Sequence, residues 1–331
     1  MRHLLVTGGT GFIGSHFTRY ALRVMRAGTG DALWVTVLDL LTYAGDRGRL
    51  VDVEREPRFA FVHGDVCDGA LVASLLAGRE GAPAVDAIAH FAAETHVDRS
   101  IADPAPFIRT NVTGTYTLLE AIRARGANGP RLLHVSTDEV YGDLGAHDAP
   151  FTEESPLAPS SPYSASKAAA DALVLAWRRT YGVRAVITRG ANNYGTHQFP
   201  EKLIPVAMAR ALAGQPIPLY GDGSHRREWL HVVDHSSALW TVLTAAAPRH
   251  AVYNVPGESD VSNLEVAGLI LDSLGLPRSQ IEFVQDRAGH DVRYALDGSR
   301  IRGEFSWTPR RRMRDEMAAI VAFERARVRV R

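Results

Sequence analysis

Two short stretches carry side chains able to move protons in order. Ser136-Thr137-Asp138-Glu139-Val140-Tyr141-Gly142 follows an apolar run, Leu132 to Val135. It puts a hydroxyl, two adjacent carboxylates and a phenol at the end of a buried strand. In Tyr163-Ser164-Ala165-Ser166-Lys167, the tyrosine and lysine are one helical turn apart, so both project from the same helix face. Hydroxyl, acids, phenol and amine are a set for linked proton transfers. The rest of the chain must hold a cofactor and a substrate against them.

The elements upstream read as a cofactor holder. Residues 3–7 form an apolar strand that runs into Gly8-Gly9-Thr10-Gly11-Phe12-Ile13-Gly14. Gly8, Gly11 and Gly14 allow a tight turn and close approach to a pyrophosphate at the N-terminus of the next helix, which runs from Phe12 to about Ala27. A second strand, Leu33 to Leu38, ends in Asp39, placed to accept from a ribose 2'-hydroxyl and to repel a 2'-phosphate; NAD is favoured over NADP. A third strand spans Phe59 to His63, with a helix from about Asp68 to Ala77. A fourth spans Asp86 to Phe91 and ends in Ala92 and Ala93, small enough for a cofactor to lie against the backbone. Pro104 to Arg125 reads as one long helix with proline in its first turn. The fifth strand delivers Ser136 to Glu139, a Pro- and Ser-rich loop spans Gly145 to Pro162, and Val183 to Thr188 is a sixth strand. Strands alternating with helices predict an α/β fold, a doubly wound parallel sheet of Rossmann type, with ligands beyond the carboxyl ends of the strands. The pattern then becomes less regular. Residues 1–190 are expected to form the NAD-binding domain with the catalytic residues. Residues 191–331 are expected to be mainly a smaller C-terminal substrate-binding lobe, some of whose strands return to the sheet.

Composition narrows the partners. The chain has 331 residues, formal net charge zero and one cysteine, Cys67. Zero net charge gives no general attraction to nucleic acid or anionic membrane. One cysteine allows no internal disulfide and fits a reducing compartment. No apolar run is long enough for a membrane span, and the N-terminus goes straight into a strand with no signal core. A cytoplasmic location is expected. The thirteen histidines are scattered without metal-ligand spacing, so no metal is expected.

The strings TGGTGFIGS (7–15), DLLTYAG (39–45), HFAAETHVDRSI (90–101), STDEVYGDL (136–144), SSPYSASKAAAD (160–171), NNYGTHQFPEKLIP (192–205), REWLHVVDH (227–235) and DRAGHDVRYALD (286–297) run nearly end to end. On these the chain resembles the extended short-chain dehydrogenase/reductases and, within them, the dTDP-glucose 4,6-dehydratases. The Tyr-x-x-x-Lys pair is common to the superfamily, whereas the Thr-Asp-Glu triplet is narrower. Thr95 stands where serine is usual, and Thr188-Arg189-Gly190-Ala191 before Asn192 is a second departure.

The resemblance implies conversion of dTDP-glucose to dTDP-4-keto-6-deoxyglucose by internal hydride transfer through bound NAD, in a helix-paired homodimer. It implies Tyr163, its phenol acidified by Lys167 and the cofactor, as base at the sugar 4-hydroxyl, with Thr137 holding the 4-oxygen. Glu139 would remove the carbon-5 proton, and protonated Asp138 would give its proton to the departing 6-hydroxyl. Around NAD it places Gly8, Gly11, Phe12, Ile13, Gly14, Asp39, Leu40, Thr42, Asp65, Val66, Phe91, Ala92, Ala93, Thr95, Thr110, Tyr163, Lys167 and Asn193. Around the nucleotide sugar it places Thr95, Thr137, Asn192, Glu201, Lys202, Leu203, Pro218, Tyr220, Asn254, Arg287 and His290, with Arg227 as a bidentate partner for the diphosphate. The same chemistry on UDP-glucose or another nucleotide hexose, a 4-epimerase, and a non-catalytic dinucleotide sensor are the alternatives. Asp138 and Glu139 speak against the epimerase, and Tyr163 with Lys167 against the sensor.

Overall fold

The computed structural model describes residues 1–27, 33–79, 81–286 and 293–329. Thirteen strands occur among them: β1 (His3–Thr7), β2 (Trp34–Asp39), β3 (Phe59–His63), β4 (Ala87–His90), β5 (Arg131–Thr137), β6 (Ala185–Gly190), β7 (Asn192–Tyr194), β8 (Ile217–Tyr220), β9 (Arg226–His231), β10 (Val252–Val255), β11 (Ser259–Ser262), β12 (Ile281–Val284) and β13 (Arg293–Tyr294). Seven make one sheet in the order β10-β6-β5-β4-β1-β2-β3, and every pairing in it is parallel. Its strands are continuous apolar runs because both faces are covered. Leu4, Val6 and Leu133 pack on one side with Phe17 and Leu239. Leu5, Ile88 and Leu132 pack on the other with Leu118 and Val174. This is the expected Rossmann-type α/β sheet.

A third core, around Tyr194, Met208, Trp229, Ile270 and Met317, lies in the C-terminal part. There β9 pairs with β7, β11 and β13, and β8 with β12. The seventh strand of the large sheet, β10, comes from beyond residue 190 and pairs with β6. The long helix expected over 104–125 is helical throughout but not uniform, with a π-helical stretch at Ile108–Thr113 before Gly114–Ala124. No helix among the described residues is long and apolar enough to cross a membrane.

Parallel pairing brings the carboxyl ends of β1 to β6 to one edge, which is where the chemistry-bearing residues fall. The helix that presents Tyr163 and Lys167, Pro162–Tyr181, is closed at both ends. Ser161 and Ser164 form a reciprocal capping box with Pro162 in the first turn, and Gly182 ends the helix in the left-handed region at φ +69°.

Candidate active site

The glycine turn is shaped by contact. A Cβ on Gly8, whose φ is +69°, would lie 2.5 Å from the amide nitrogen of Ala92, and one on Gly14 would lie 2.3 Å from the carbonyl oxygen of Gly8. Backbone therefore meets backbone: a side chain at Gly8 would push the ends of β1 and β4 apart, and one at Gly14 would push the following helix off the turn. Gly11 differs: its Cβ would meet only the Gly8 carbonyl, at 3.2 Å, so its outer side is an open cradle. Asp39 is held by the amides of Thr10 and Leu41, both at 2.9 Å, one on each carboxylate oxygen. That two-point grip fixes the acid beside the glycine turn and leaves lone pairs for a diol. An open glycine cradle, a fixed carboxylate one strand over and the buried Thr10 Oγ1, without a partner among the described residues, fit a dinucleotide with a free ribose 2'-hydroxyl.

The other expected cofactor residues are placed more variously. Leu40 and Thr42 are exposed, while Phe12, Ile13, Phe91, Ala92, Ala93, Thr95 and Thr110 are half-buried. Val66 is in the core, so only its main chain could reach a ligand. Asp65 accepts from the Cys67 amide at 2.8 Å and from Arg109 at 2.6 Å; burial raises its pKa, but these partners outweigh burial and lower it. Asn193 is committed on both sides, donating to Ala191 O at 3.0 Å and pairing with His235 Nδ1 at 2.9 Å.

At the end of β5 the chain tightens into a single turn, Asp138–Tyr141, capped by Thr137. The Thr137 hydroxyl donates to Asp138 Oδ1 at 3.1 Å and accepts from the Glu139 amide at 3.3 Å. Asp138 is buried, and its Oδ2 has no partner among the described residues. Burial first, and the neighbouring Glu139 second, push its pKa up to about 7. A carboxylic acid that keeps its proton near neutrality is what a general acid requires. Glu139 is half-buried beside it. The two adjacent acids sit in different environments.

Tyr163 and Lys167 stand over the same turn. The Lys167 ammonium is buried and donates to Val135 O at 2.8 Å. Tyr163 faces Thr137, Asp138 and Glu139, and burial, then the two carboxylates, raise its pKa well above the phenol range. The expectation joined Lys167 with the cofactor's positive charge; in the chain by itself, desolvation and the acidic neighbours hold the phenol above its usual range. The Thr137 hydroxyl acts to lower it, and a positive charge brought by a ligand would lower it further.

Asn254 has a structural role of its own. Expected on the substrate, it is fully buried. Its Oδ1 accepts from Tyr141 OH at 2.8 Å, its Nδ2 donates to Phe151 O at 2.9 Å and its amide donates to Glu153 at 2.8 Å. It braces the loop after the catalytic turn. Arg227 lies over Tyr294 at 4.9 Å, donates to Arg226 O at 2.7 Å and acts electrostatically on Asp138. Asn192 keeps a buried Nδ2 with no partner among the described residues. Glu201 reaches His96 at 3.4 Å and Arg99 at 3.9 Å. Lys202 immediately precedes the helix Leu203–Leu212, Leu203 and Pro218 are half-buried, and Tyr220 is exposed. Arg287 and His290 lie outside the described residues. No cluster of three metal-ligating side chains occurs among the described residues.

Two neighbours of the site escaped the sequence reading. Tyr43, in the loop after Asp39, lies under the Arg99 guanidinium at 3.8 Å and edge-on to Phe199 at 5.4 Å. Burial, then Glu201 and Glu94, raise its phenol pKa to about 12. Glu228, next to Arg227, is buried and accepts from the Leu296 amide at 3.0 Å; burial holds its pKa at about 8. The string DLLTYAG offered a signal for Tyr43, but a side chain stacked on a distant arginine has no sequence spacing to betray it.

The buried acid has a measurable cost. Because the pKa of Asp138 is raised on folding, its contribution to stability is complete below the unfolded value, about 3.9. It is lost as pH rises towards the folded value of about 7. Asp138→Asn should therefore raise the melting temperature at pH above about 7, by up to about 4 kcal/mol in stability, with the gain vanishing below about pH 4. Thermal melts of both proteins across that range check it; a gain independent of pH would place its origin elsewhere.

Comparison with known proteins agrees with this geometry. Residues 5–320 match the family model described as GDP-mannose 4,6 dehydratase. A dTDP-glucose 4,6-dehydratase of an Actinoplanes species is 46% identical over 98% of this chain and 98% of its own. One from Xanthomonas campestris is 50% identical over 92% of this chain and 88% of its own. The crystal structure of a dTDP-glucose 4,6-dehydratase from Streptomyces venezuelae, solved with NAD bound, is 47% identical with a TM-score of 0.89, covering 98% of this chain and 97% of that one. The glycine cradle, the Thr-Asp-Glu turn and the Tyr-Lys helix thus occur together in a chain that belongs to the nucleotide-sugar 4,6-dehydratase family, among the dTDP-glucose 4,6-dehydratases.

Proposed function

We propose that this protein is an NAD-dependent dTDP-glucose 4,6-dehydratase, a hydro-lyase that forms dTDP-4-keto-6-deoxyglucose. The observation that carries the reading is the Thr137-Asp138-Glu139 turn under Tyr163, with a buried, proton-holding Asp138 beside a more open Glu139. Gly8, Gly11, Gly14 and Asp39 would hold NAD, which when bound supplies a hydride acceptor and returns the hydride within one turnover. Tyr163 takes the proton of the sugar 4-hydroxyl, and Thr137 orients the 4-oxygen. The ketone so formed acidifies the carbon-5 hydrogen, Glu139 removes it, and Asp138 protonates the leaving 6-hydroxyl; Glu139 then returns its proton to carbon 5 as carbon 6 regains the hydride. Asn192, Glu201, Lys202, Pro218, Tyr220 and Arg227 line the approach for the nucleotide sugar, Arg227 meeting the diphosphate.

The lobes divide the work in this reading, residues 1–190 holding NAD and the catalytic turn and residues 191–331 mainly the sugar nucleotide. A cytoplasmic homodimer paired through helices completes it. Exposed Tyr116 and Tyr181, joined through the half-buried Trp177 on adjoining helices, support that pairing face.

Incubation with dTDP-, UDP-, CDP- and GDP-glucose, with products identified by mass and nuclear magnetic resonance, tests the reading. Loss of water from dTDP-glucose above the others is expected; epimerised glucose with no loss of water would overturn it. A direct titration should show NAD bound in preference to NADP, because the Asp39 carboxylate repels a 2'-phosphate. Equal affinities would remove that role from Asp39.

A further inference from the structure

Behind the catalytic pair runs a buried polar chain that the mechanism does not use. Tyr163, Lys167 and Asp171 follow one another at single-turn intervals on the helix Pro162–Tyr181, and so share one face. Asp171 is fully buried. Its Oδ2 accepts from Arg189 Nε at 2.9 Å, and His134 Nε2 lies 3.4 Å from its Oδ1. Arg189 in turn donates to Tyr141 OH at 2.8 Å, which ties this chain to the Thr-Asp-Glu turn. The Lys167 ammonium, also buried, has one hydrogen bond among the described residues, to the neutral carbonyl of Val135.

An ammonium taken out of water needs an opposite charge nearby or it surrenders its proton. The groups around Lys167 leave one source. His90 on β4 and His134 on β5 are held neutral, chiefly by burial, and Arg189 on β6 is a cation. On the lysine's own helix, Tyr163 keeps its proton. On the turn below, Asp138 is buried and holds its proton, and Glu139 is half-buried on the Tyr163 side. Asp171, buried one helical turn from Lys167 on the same face, is the carboxylate that acts to raise the lysine's pKa, which desolvation lowers to about 8.

We infer that Asp171 is a positioning residue for catalysis: held by Arg189, with His134 beside it, it is the buried counter-charge that keeps Lys167 an ammonium beneath Tyr163. The inference rests on the reading of Lys167 as part of the catalytic set, but its physical content can be measured without turnover. The chain contains only two lysines, Lys167 and Lys202, among 37 basic residues. Lysine labelled with carbon-13 at Cε therefore gives two side-chain resonances, and Lys202→Arg assigns them.

Titration of the protein as purified should show Lys167 charged at neutral pH. In Asp171→Asn the midpoint should fall by about 1–3 on the pH scale, the usual effect of one close opposite charge. On a 6-deoxy-6-fluoro sugar, whose leaving group does not need the Asp138 proton, the alkaline limb of the kcat profile should move down with it. His134→Asn removes a neutral group and should leave the Lys167 midpoint in place. A folded Asp171→Asn protein with an unmoved midpoint overturns the inference, as does an equal fall in His134→Asn. If Asp171→Asn does not fold, Asp171→Glu takes its place. A midpoint moved by the displaced carboxylate supports the inference, and an unmoved one overturns it. Because the resonance titrates with or without sugar turnover, failure of the dehydratase reading leaves this result legible on its own.

Discussion

Glu139→Gln should abolish water loss while leaving the site folded, with a fall in product formation of about 10²–10⁴, the scale for removing a positioned general base. The glutamine keeps the length and shape of the side chain but cannot accept the carbon-5 proton. Its backbone place is secured by Thr137, whose hydroxyl accepts from the residue 139 amide at 3.3 Å, so the turn should survive the change. Glu139 is half-buried and Asp138 buried, which leaves the glutamate as the acid facing the cleft. The checking measurement is solvent deuterium. Exchange at carbon 5 of dTDP-glucose should fall with product formation, whereas Tyr163 and Thr137 still act on the 4-hydroxyl. A variant that dehydrates at the normal rate would take the role of base away from Glu139. One that retains exchange but loses product would move its role to the leaving group.

Much of this arrangement is legible locally. The glycine turn, the acid closing β2, the helical spacing of Tyr163 and Lys167 and the alternation of strands and helices are short-range patterns, and the folded chain shows each of them. What could not be read depends on packing between distant segments. Asn254 looks like a polar loop residue in sequence, yet it sits on β10, a strand that returns to pair with β6, and there its amide braces Tyr141 and Phe151. Tyr43 is brought to the site by stacking on Arg99. The π-helical stretch at Ile108–Thr113 has no proline or glycine pair to announce it. Asp171 lies within a quoted string and one turn beyond Lys167, so its spacing was visible. Its burial against Arg189 and His134 was not. The tyrosine's acidity shows the same division: which phenol takes part is local information, whereas the sign of its pKa shift is set by desolvation and by the acids across the turn.

The division of labour between those acids leads to the second large effect. A general acid contributes as the bond to its leaving group breaks, so its value depends on how poor that group is. Hydroxide is a poor leaving group, whereas fluoride departs without a full proton transfer. Asp138→Asn should therefore slow elimination from the natural sugar by about 10²–10⁴, and most of that loss should vanish on a 6-deoxy-6-fluoro analogue. Glu139→Gln should show no such rescue, because carbon 5 must be deprotonated for either leaving group. The sign of the pH dependence follows from the same carboxyl. Burial raises the pKa of Asp138 to about 7, so the acid form is depleted as pH rises through that value. Wild-type elimination of water should fall there, while elimination of fluoride should not. The comparison needs elimination rates for the wild-type protein and both variants on both substrates, with cofactor occupancy measured in each protein. An equal defect of Asp138→Asn on both substrates would reduce Asp138 to shaping the turn. The proton for the leaving hydroxyl would then have to come from another group in contact with the sugar.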